Sequence, residues 1–286
     1  VVALLIACGF LIAHLASVGI VLWRLRAPQS PDGFIGLPRV TLLRPVCGLD
    51  TFDAETLESS FRQDYPDFEI IFCADQPDDP VVALARRLIA AYPRVQARVL
   101  IGQSAISGNP KLNNLAKGWQ AAGSDWICMT DSNLMLPRDY LRRVVQSWGP
   151  KTGLVSAPPV GSRPSGLAGS LECAFLNSNQ ARLQLTSDSL GRGFAQGKTL
   201  FWNRRILERA GGLAALGRHL AEDVSATKLV RAQGLQVTLT PTPFAQPIGQ
   251  RSFAQVWNRQ LRWSRVRRDG FATLFVLEVL NGAAVP

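Results

Sequence analysis

The chain opens with an unbroken apolar run, VVALLIACGFLIAHLASVGIVLW (1–23), and then changes rhythm. From residue 40 onward, short apolar runs alternate with stretches in which apolar positions recur every three or four residues. VTLLRP (40–45), FEIIFCA (68–74), ARVLI (97–101) and DWICMT (125–130) read as strands with buried interiors. DAETLESSFRQ (53–63), DPVVALARRLIAAY (79–92), NPKLNNLAKGWQAA (109–122) and PRDYLRRVVQSW (137–148) read as helices. Pro80 and Pro137 suit first helical positions, where a missing N–H loses no bond, and Asp79 suits an N-cap. Four strand–helix alternations predict βαβ units: an α/β fold with a mostly parallel sheet flanked by helices.

The second half is less regular. TGLVSAP (152–158) suits a fifth strand, and GLAGSLECAFLNSNQARLQL (166–185) a long helix dotted with small residues. AQGKTLFWNRRIL (195–207) mixes a strand with a following turn of helix. LAEDVSATKLVRAQG (220–234) is a helix with acid in its first turn and Gly234 at its stop, followed by the strand LQVTLTP (235–241). RSFAQVWNRQLRWSRVRRDG (251–270) is a helix carrying six arginines.

The opening run, as a helix, would be about 35 Å long against a hydrocarbon core of about 30 Å. It lacks the basic start and cleavage site of a signal peptide, so a permanent transmembrane anchor over 1–23 is the expectation, with the signal peptide as the rival. Arg24, Arg26 and Arg39 flank it, in a Pro/Gly-rich linker over 24–39, and place the rest of the chain on the cytoplasmic side. The last stretch, 271–286, turns apolar again and suggests the start of a second membrane-associated segment, with Glu278 against a simple span. The whole is 286 residues, 47% hydrophobic, enough for one large domain, here 40–250. Five scattered cysteines without a C-x-x-C spacing predict small buried hydrophobes in a reducing compartment. His14 and His219 are the only histidines, which nearly excludes a histidine metal site or a Ser-His triad. A net charge of +10 permits nucleic acid or anionic lipid, but the chain shows neither a reading helix nor an aromatic platform, so nucleic acid is not the expected partner.

In open α/β sheets, ligands sit beyond the carboxyl ends of the strands, and Asp75 and Asp131 each follow a strand directly. Three acidic clusters stand out: DQPDD (75–79), DSN (131–133) and ED (222–223). Each has a structural alternative, a helix cap for Asp79 and a helix N-terminus for Glu222 and Asp223. On the basic helix, Arg259, Arg262 and Trp263 fall at i, i+3 and i+4 and share one face, which suits a diphosphate beside a flat or apolar neighbour. The remaining arginines of 251–270 suit anionic headgroups and an interfacial lie. Together, strand-end carboxylates and an arginine pair suggest a metal-bound diphosphate: Asp131 on a hard divalent cation (Mg²⁺ or Mn²⁺), the arginines on the leaving charge, and Asp223 as base towards an attacking hydroxyl.

The ordered set CADQPDDP, GNPKLNNL, TDSN, AED and RQLRW resembles the ceramide glucosyltransferases, membrane-bound inverting glycosyltransferases with a GT-A fold. The resemblance runs from about Val40 to about Arg265. It implies a GT-A-like, Rossmann-like catalytic domain that transfers a sugar, glucose by expectation, from a UDP-sugar to a lipid hydroxyl such as that of ceramide. Asp79 matches the aspartate that helps hold the nucleotide, with Asp75 second. Asp131 matches the metal–diphosphate aspartate, Asp223 the base, and Arg259, Arg262 and Trp263 the R-x-x-R-W signature. Lys111 and Asn114 fall in the NPKLNN motif and support the donor site, or else a surface helix. DSN lacks the second acid of a D-x-D motif, which leaves one aspartate, phosphate oxygens and water for the metal. The rival readings are a hopanoid or diacylglycerol acceptor, a polysaccharide synthase (disfavoured by arginine at 259), and a non-catalytic anionic-lipid-binding protein.

Overall fold

A computed structural model describes residues 1–27, 34–273, 275 and 276. The helix α1 (Val2–Arg26) comes first, and then β1 (Val40–Val46), α2 (Asp53–Glu58), β2 (Phe68–Ala74), α3 (Pro80–Ala91), β3 (Gln96–Ile101), α4 (Pro110–Ala121) and β4 (Trp126–Thr130). These follow the hydrophobic rhythm almost residue for residue, and Asp79 and Asn109 cap α3 and α4 ahead of Pro80 and Pro110. Next come α5 (Tyr140–Gln146), β5 (Thr152–Ser156), β6 (Pro159–Ser165), α6 (Gly166–Ala174), a π-helical turn, and α7 (Arg182–Ser189). The chain then runs through β7 (Thr199–Asn203), α8 (Arg204–Arg209), α9 (Glu222–Ala232), β8 (Gln236–Leu239), β9 (Phe244–Gln250) and α10 (Phe253–Gly270).

Seven strands form one sheet in the order β3-β2-β1-β4-β7-β5-β8. Six run the same way; β7 runs against both its neighbours, β4 and β5. Its entry therefore lies at the edge where the other strands end. Helices cover the sheet, with Leu42, Ile70, Phe72, Ile127, Phe201 and Trp202 fully buried. A small parallel sheet, β6 with β9, lies beside it and carries α6.

Three expectations need correcting. The helix predicted over 137–148 begins at Tyr140, because the Pro137 carbonyl accepts from the Gln63 amide at 3.1 Å and the Arg138 carbonyl from the Asp64 N–H at 2.6 Å, which hold 137–139 in a turn. The small sheet was absent from the expected elements: proline and glycine inside PVGSRPS and FAQPIGQ weaken any strand signal. Of the cysteines, Cys73, Cys128 and Cys173 are buried, but Cys8 and Cys47 are exposed.

Helix α1 is long and apolar enough to cross a membrane over Leu4–Arg26, and protein covers little of it. It is fastened to the domain along α7. The Thr186 hydroxyl donates to the Ser17 carbonyl at 3.3 Å, and Arg182 donates to the Ser17 hydroxyl. Arg24 pairs with Asp188 at 2.7 Å and donates to the carbonyls of Leu239 and Thr240, both at 3.1 Å. Most of the 271–286 stretch, expected to open a second membrane segment, lies outside the described residues.

Candidate active site

The site begins with an arginine that reads, in sequence, as an anomaly inside a strand. Arg44 of β1 is fully buried. Its guanidinium donates to the carbonyls of Asp131 (2.9 Å), Ser132 (2.8 Å) and Leu134 (3.3 Å) and to the Ser60 hydroxyl (2.7 Å). Burial lowers its pKa to about 10, still charged at neutral pH. One cation thus pins the backbone that follows β4 and fixes where the Asp131 carboxylate emerges.

That carboxylate lies between two ammonium groups. Lys111, on the first turn of α4, reaches Asp131 Oδ1 at 2.6 Å, and Lys198, on the loop entering β7, reaches Oδ2 at 3.0 Å. Burial alone would push the Asp131 carboxyl up, but the two lysines hold it well below the usual carboxylate range. Lys111 also bonds Glu222 Oε1 at 2.6 Å and the Gly197 carbonyl at 2.8 Å; burial opposes its charge, but the two acids keep its pKa well above the ordinary lysine value. Lys198 also donates to Asn133 Oδ1 at 2.8 Å, and burial shifts its pKa down.

Asp223 comes next, on the first turn of α9. Its Oδ2 accepts the Gly197 N–H at 3.0 Å and its Oδ1 the Val224 N–H at 2.8 Å. Burial, and then the neighbouring Glu222 charge, raise its pKa to about 6. A carboxylate tuned in this way is ionised at neutral pH yet more basic than an ordinary aspartate, as a general base requires.

Asp131, Lys111, Lys198, Glu222 and Asp223 line one cavity of about 1430 Å³, and Arg259, Arg262 and Trp263 of α10 line its other side. Arg259 pairs with Glu172 of α6, a wholly buried acid, whereas Arg262 lines the cavity, is exposed and forms no ion pair among the described residues. Trp263 packs on Cys173, Leu176 and Ile248 and so seats α10 against α6 and β9.

Three expected residues lie away from this cavity's lining. Asn114 is buried, donates to the Cys73 carbonyl at 2.7 Å and ties α4 to β2. Asp79 caps α3 through Val81 N–H and takes the Gly48 N–H on both oxygens, at 3.0 and 2.8 Å. Asp75 follows β2, and its buried Oδ1 has no partner among the described residues. Sequence reasoning did not single out Lys198, Asn133, Arg44 or Glu172, and read Glu222 only as part of an acid pair. A lone charge inside an apolar run was the available signal for Arg44 and Glu172.

Asp131 and Asn133 offer hard oxygen donors two positions apart, and both already hold positive charge, so the chemistry fits Mg²⁺ or Mn²⁺. Among the described residues no group of three His, Cys, Asp or Glu side chains could cage a metal alone. Phosphate oxygens and water would have to complete the shell.

The mixed, mostly parallel sheet flanked by helices is a GT-A glycosyltransferase fold. The mannosyltransferase PcManGT from Pyrobaculum calidifontis, solved with GDP-Man and Mn²⁺, superposes with a TM-score of 0.65 at 21% identity, covering 94% of this chain and 74% of that one. The chain belongs to glycosyl transferase family 21, whose model matches residues 2–286. It is 26% identical over 272 residues to ceramide glucosyltransferase 1 of Caenorhabditis elegans, covering 94% of this chain and 58% of that protein. To the ceramide glucosyltransferase of Komagataella phaffii it is 29% identical over 297 residues, covering 84% of this chain and 58% of that protein. The chain thus spans a little over half the length of these relatives.

Proposed function

We propose that this protein transfers a sugar, glucose by its relatives, from a UDP-sugar to the hydroxyl of a membrane lipid, ceramide in the first instance, with inversion. The observation that carries this reading is the convergence of Asp131, Asp223, Arg259 and Arg262 on one cavity from three distant parts of the chain. Asp223 takes the proton as the acceptor oxygen attacks the anomeric carbon; the bond from that carbon to the diphosphate breaks, and UDP leaves with its electron pair. Arg259 and Arg262 stabilise the charge that grows on the diphosphate. Asp131 and Asn133 would hold the divalent cation, which when bound supplies further neutralisation of that charge. Asp75, with its unpartnered buried oxygen, suits a nucleobase N–H better than Asp79, whose oxygens are engaged in capping.

The lipid acceptor is supported by the cavity's other rim. Leu183 and Leu190 of the α7 region and Leu220 before α9 line it and are 39%, 66% and 65% exposed. Because α7 packs along the apolar helix α1, this greasy rim opens beside the bilayer. The same contact and the arginine-flanked end of α1 support a catalytic domain on the cytoplasmic face.

The test is to incubate membranes carrying this protein with radiolabelled UDP-glucose or UDP-galactose and ceramide, and to identify labelled lipid by mass spectrometry. Glucosylceramide is expected. Label on a hopanoid or diacylglycerol would replace the acceptor and keep the chemistry, and no labelled lipid from any donor would sink the enzyme reading.

A further inference from the structure

Lys198 differs from the other cations of the cavity in what it holds. Its ammonium, on a side chain 17% exposed, bonds Asp131 Oδ2 at 3.0 Å and Asn133 Oδ1 at 2.8 Å. Those are the two oxygens a divalent cation would claim. Lys111 is in another position: with Asp131 withdrawn it keeps Glu222 at 2.6 Å and the Gly197 carbonyl at 2.8 Å. Lys198 would lose both partners at once, and a buried ammonium without an acceptor is strongly disfavoured. Lys111 and Arg259 add repulsion from nearby. A lysine can answer this, because its charge rides on a flexible four-carbon stem, and the donor diphosphate is the anion that would arrive in the same cavity.

We infer that Lys198 is an internal counter-ion of the Asp131–Asn133 pair, displaced by the divalent cation and then bound to the donor diphosphate. The inference rests on the donor-site reading above and adds a coupling to it. In the free protein the cation must evict an ammonium that has no other acceptor among the described residues, so it binds weakly. With the diphosphate present, the evicted ammonium gains a partner, and cation and nucleotide favour each other's binding.

The two roles have opposite signs in one variant. In the full chain held in detergent micelles, Mn²⁺ binding without nucleotide is followed by electron paramagnetic resonance, and UDP binding at saturating Mn²⁺ by calorimetry. Lys198→Met should tighten Mn²⁺ binding and weaken UDP binding, each by at least about fivefold, the scale of one charged hydrogen bond. Lys198→Arg should weaken nucleotide-free Mn²⁺ binding below wild type, because a guanidinium fork grips a carboxylate harder. That variant retains the charge and carries the test alone if the methionine protein does not fold. Both affinities weakening together in Lys198→Met would reveal a merely structural lysine, and no change in either, or unchanged Mn²⁺ binding in Lys198→Arg, would equally overturn the inference. Wild-type protein that binds neither Mn²⁺ nor UDP would overturn the donor-site reading itself.

Discussion

The Arg259 guanidinium and the Glu172 carboxylate, 87 positions apart, meet in the crease between α10 and α6. Glu172 is wholly buried and its second oxygen has no partner among the described residues, so this one arginine is its whole side-chain compensation there. Arg259→Met should therefore destabilise the fold by about 3 kcal/mol, the low end for a broken buried pair because Arg259 is itself partly exposed. Arg262→Ala, at an exposed position, should shift stability by less than about 0.5 kcal/mol while still lowering turnover. Thermal melts beside turnover assays separate the two; equal melting temperatures would show that Glu172 does not rely on Arg259.

The pH profile should report Asp223. With its pKa raised to about 6, log kcat/KM should climb with unit slope below that pH and flatten above it. Asp131, held far lower by its lysines, should add no second inflection in that window. An ascending limb centred near pH 4 would show that burial beside Glu222 does not raise the Asp223 carboxyl.

Asp223→Asn should abolish transfer and leave UDP binding intact. Its effect on stability follows from linkage. A carboxylate with a folded pKa above its unfolded value of about 3.9 contributes stability below the unfolded value, and loses it as pH rises through about 6. The asparagine keeps one acceptor for the two N–H groups of Gly197 and Val224, a cost of about 1–3 kcal/mol at any pH. The ionised wild type at pH 7.5 offsets part of that cost, so the variant's deficit in melting temperature should be larger at pH 4 than at pH 7.5. A deficit that does not change between the two pH values would contradict the raised pKa.

Gly197 holds the network together from its centre. Its N–H serves Asp223 and its carbonyl serves Lys111. A Cβ there would lie 2.6 Å from Glu222 Oε1 and 3.4 Å from Lys111 Nζ. Gly197→Ala should displace both side chains and lower kcat/KM by about tenfold or more, the scale of small misplacements in a reacting site, with far-ultraviolet circular dichroism unchanged. Wild-type kinetics in this variant would show that the Glu222–Lys111 pair tolerates displacement.

Leu183 and Leu190 bear on the acceptor. If the exposed apolar rim guides a lipid chain, Leu183→Ser with Leu190→Ser should raise KM for a long-chain acceptor severalfold and leave a short-chain, water-soluble analogue unaffected. Equal losses on both acceptors would assign these leucines to stability.

Much of this was legible along the chain, because hydrophobic periodicity and capping are local. The strands and helices from Val40 to Thr130 follow from apolar runs, prolines at first helical turns and the caps Asp79 and Asn109. The rule that ligands gather where strands end pointed to Asp131, and the i, i+3, i+4 spacing put Arg259, Arg262 and Trp263 on one face.

What the sequence determined by itself was a set of elements and a short roster of chemically capable side chains. Which of them meet was decided by strand direction and packing. Asp131 leaves β4 and Lys198 enters β7, and they are neighbours because β7 runs antiparallel, with Thr130 paired to Thr199. Nothing in the pattern of TLFWN distinguishes a strand running up from one running down. The same holds for Arg44 gripping the loop after β4 and Glu172 receiving Arg259: each contact joins residues far apart in the chain, and only burial in one shared core selects it.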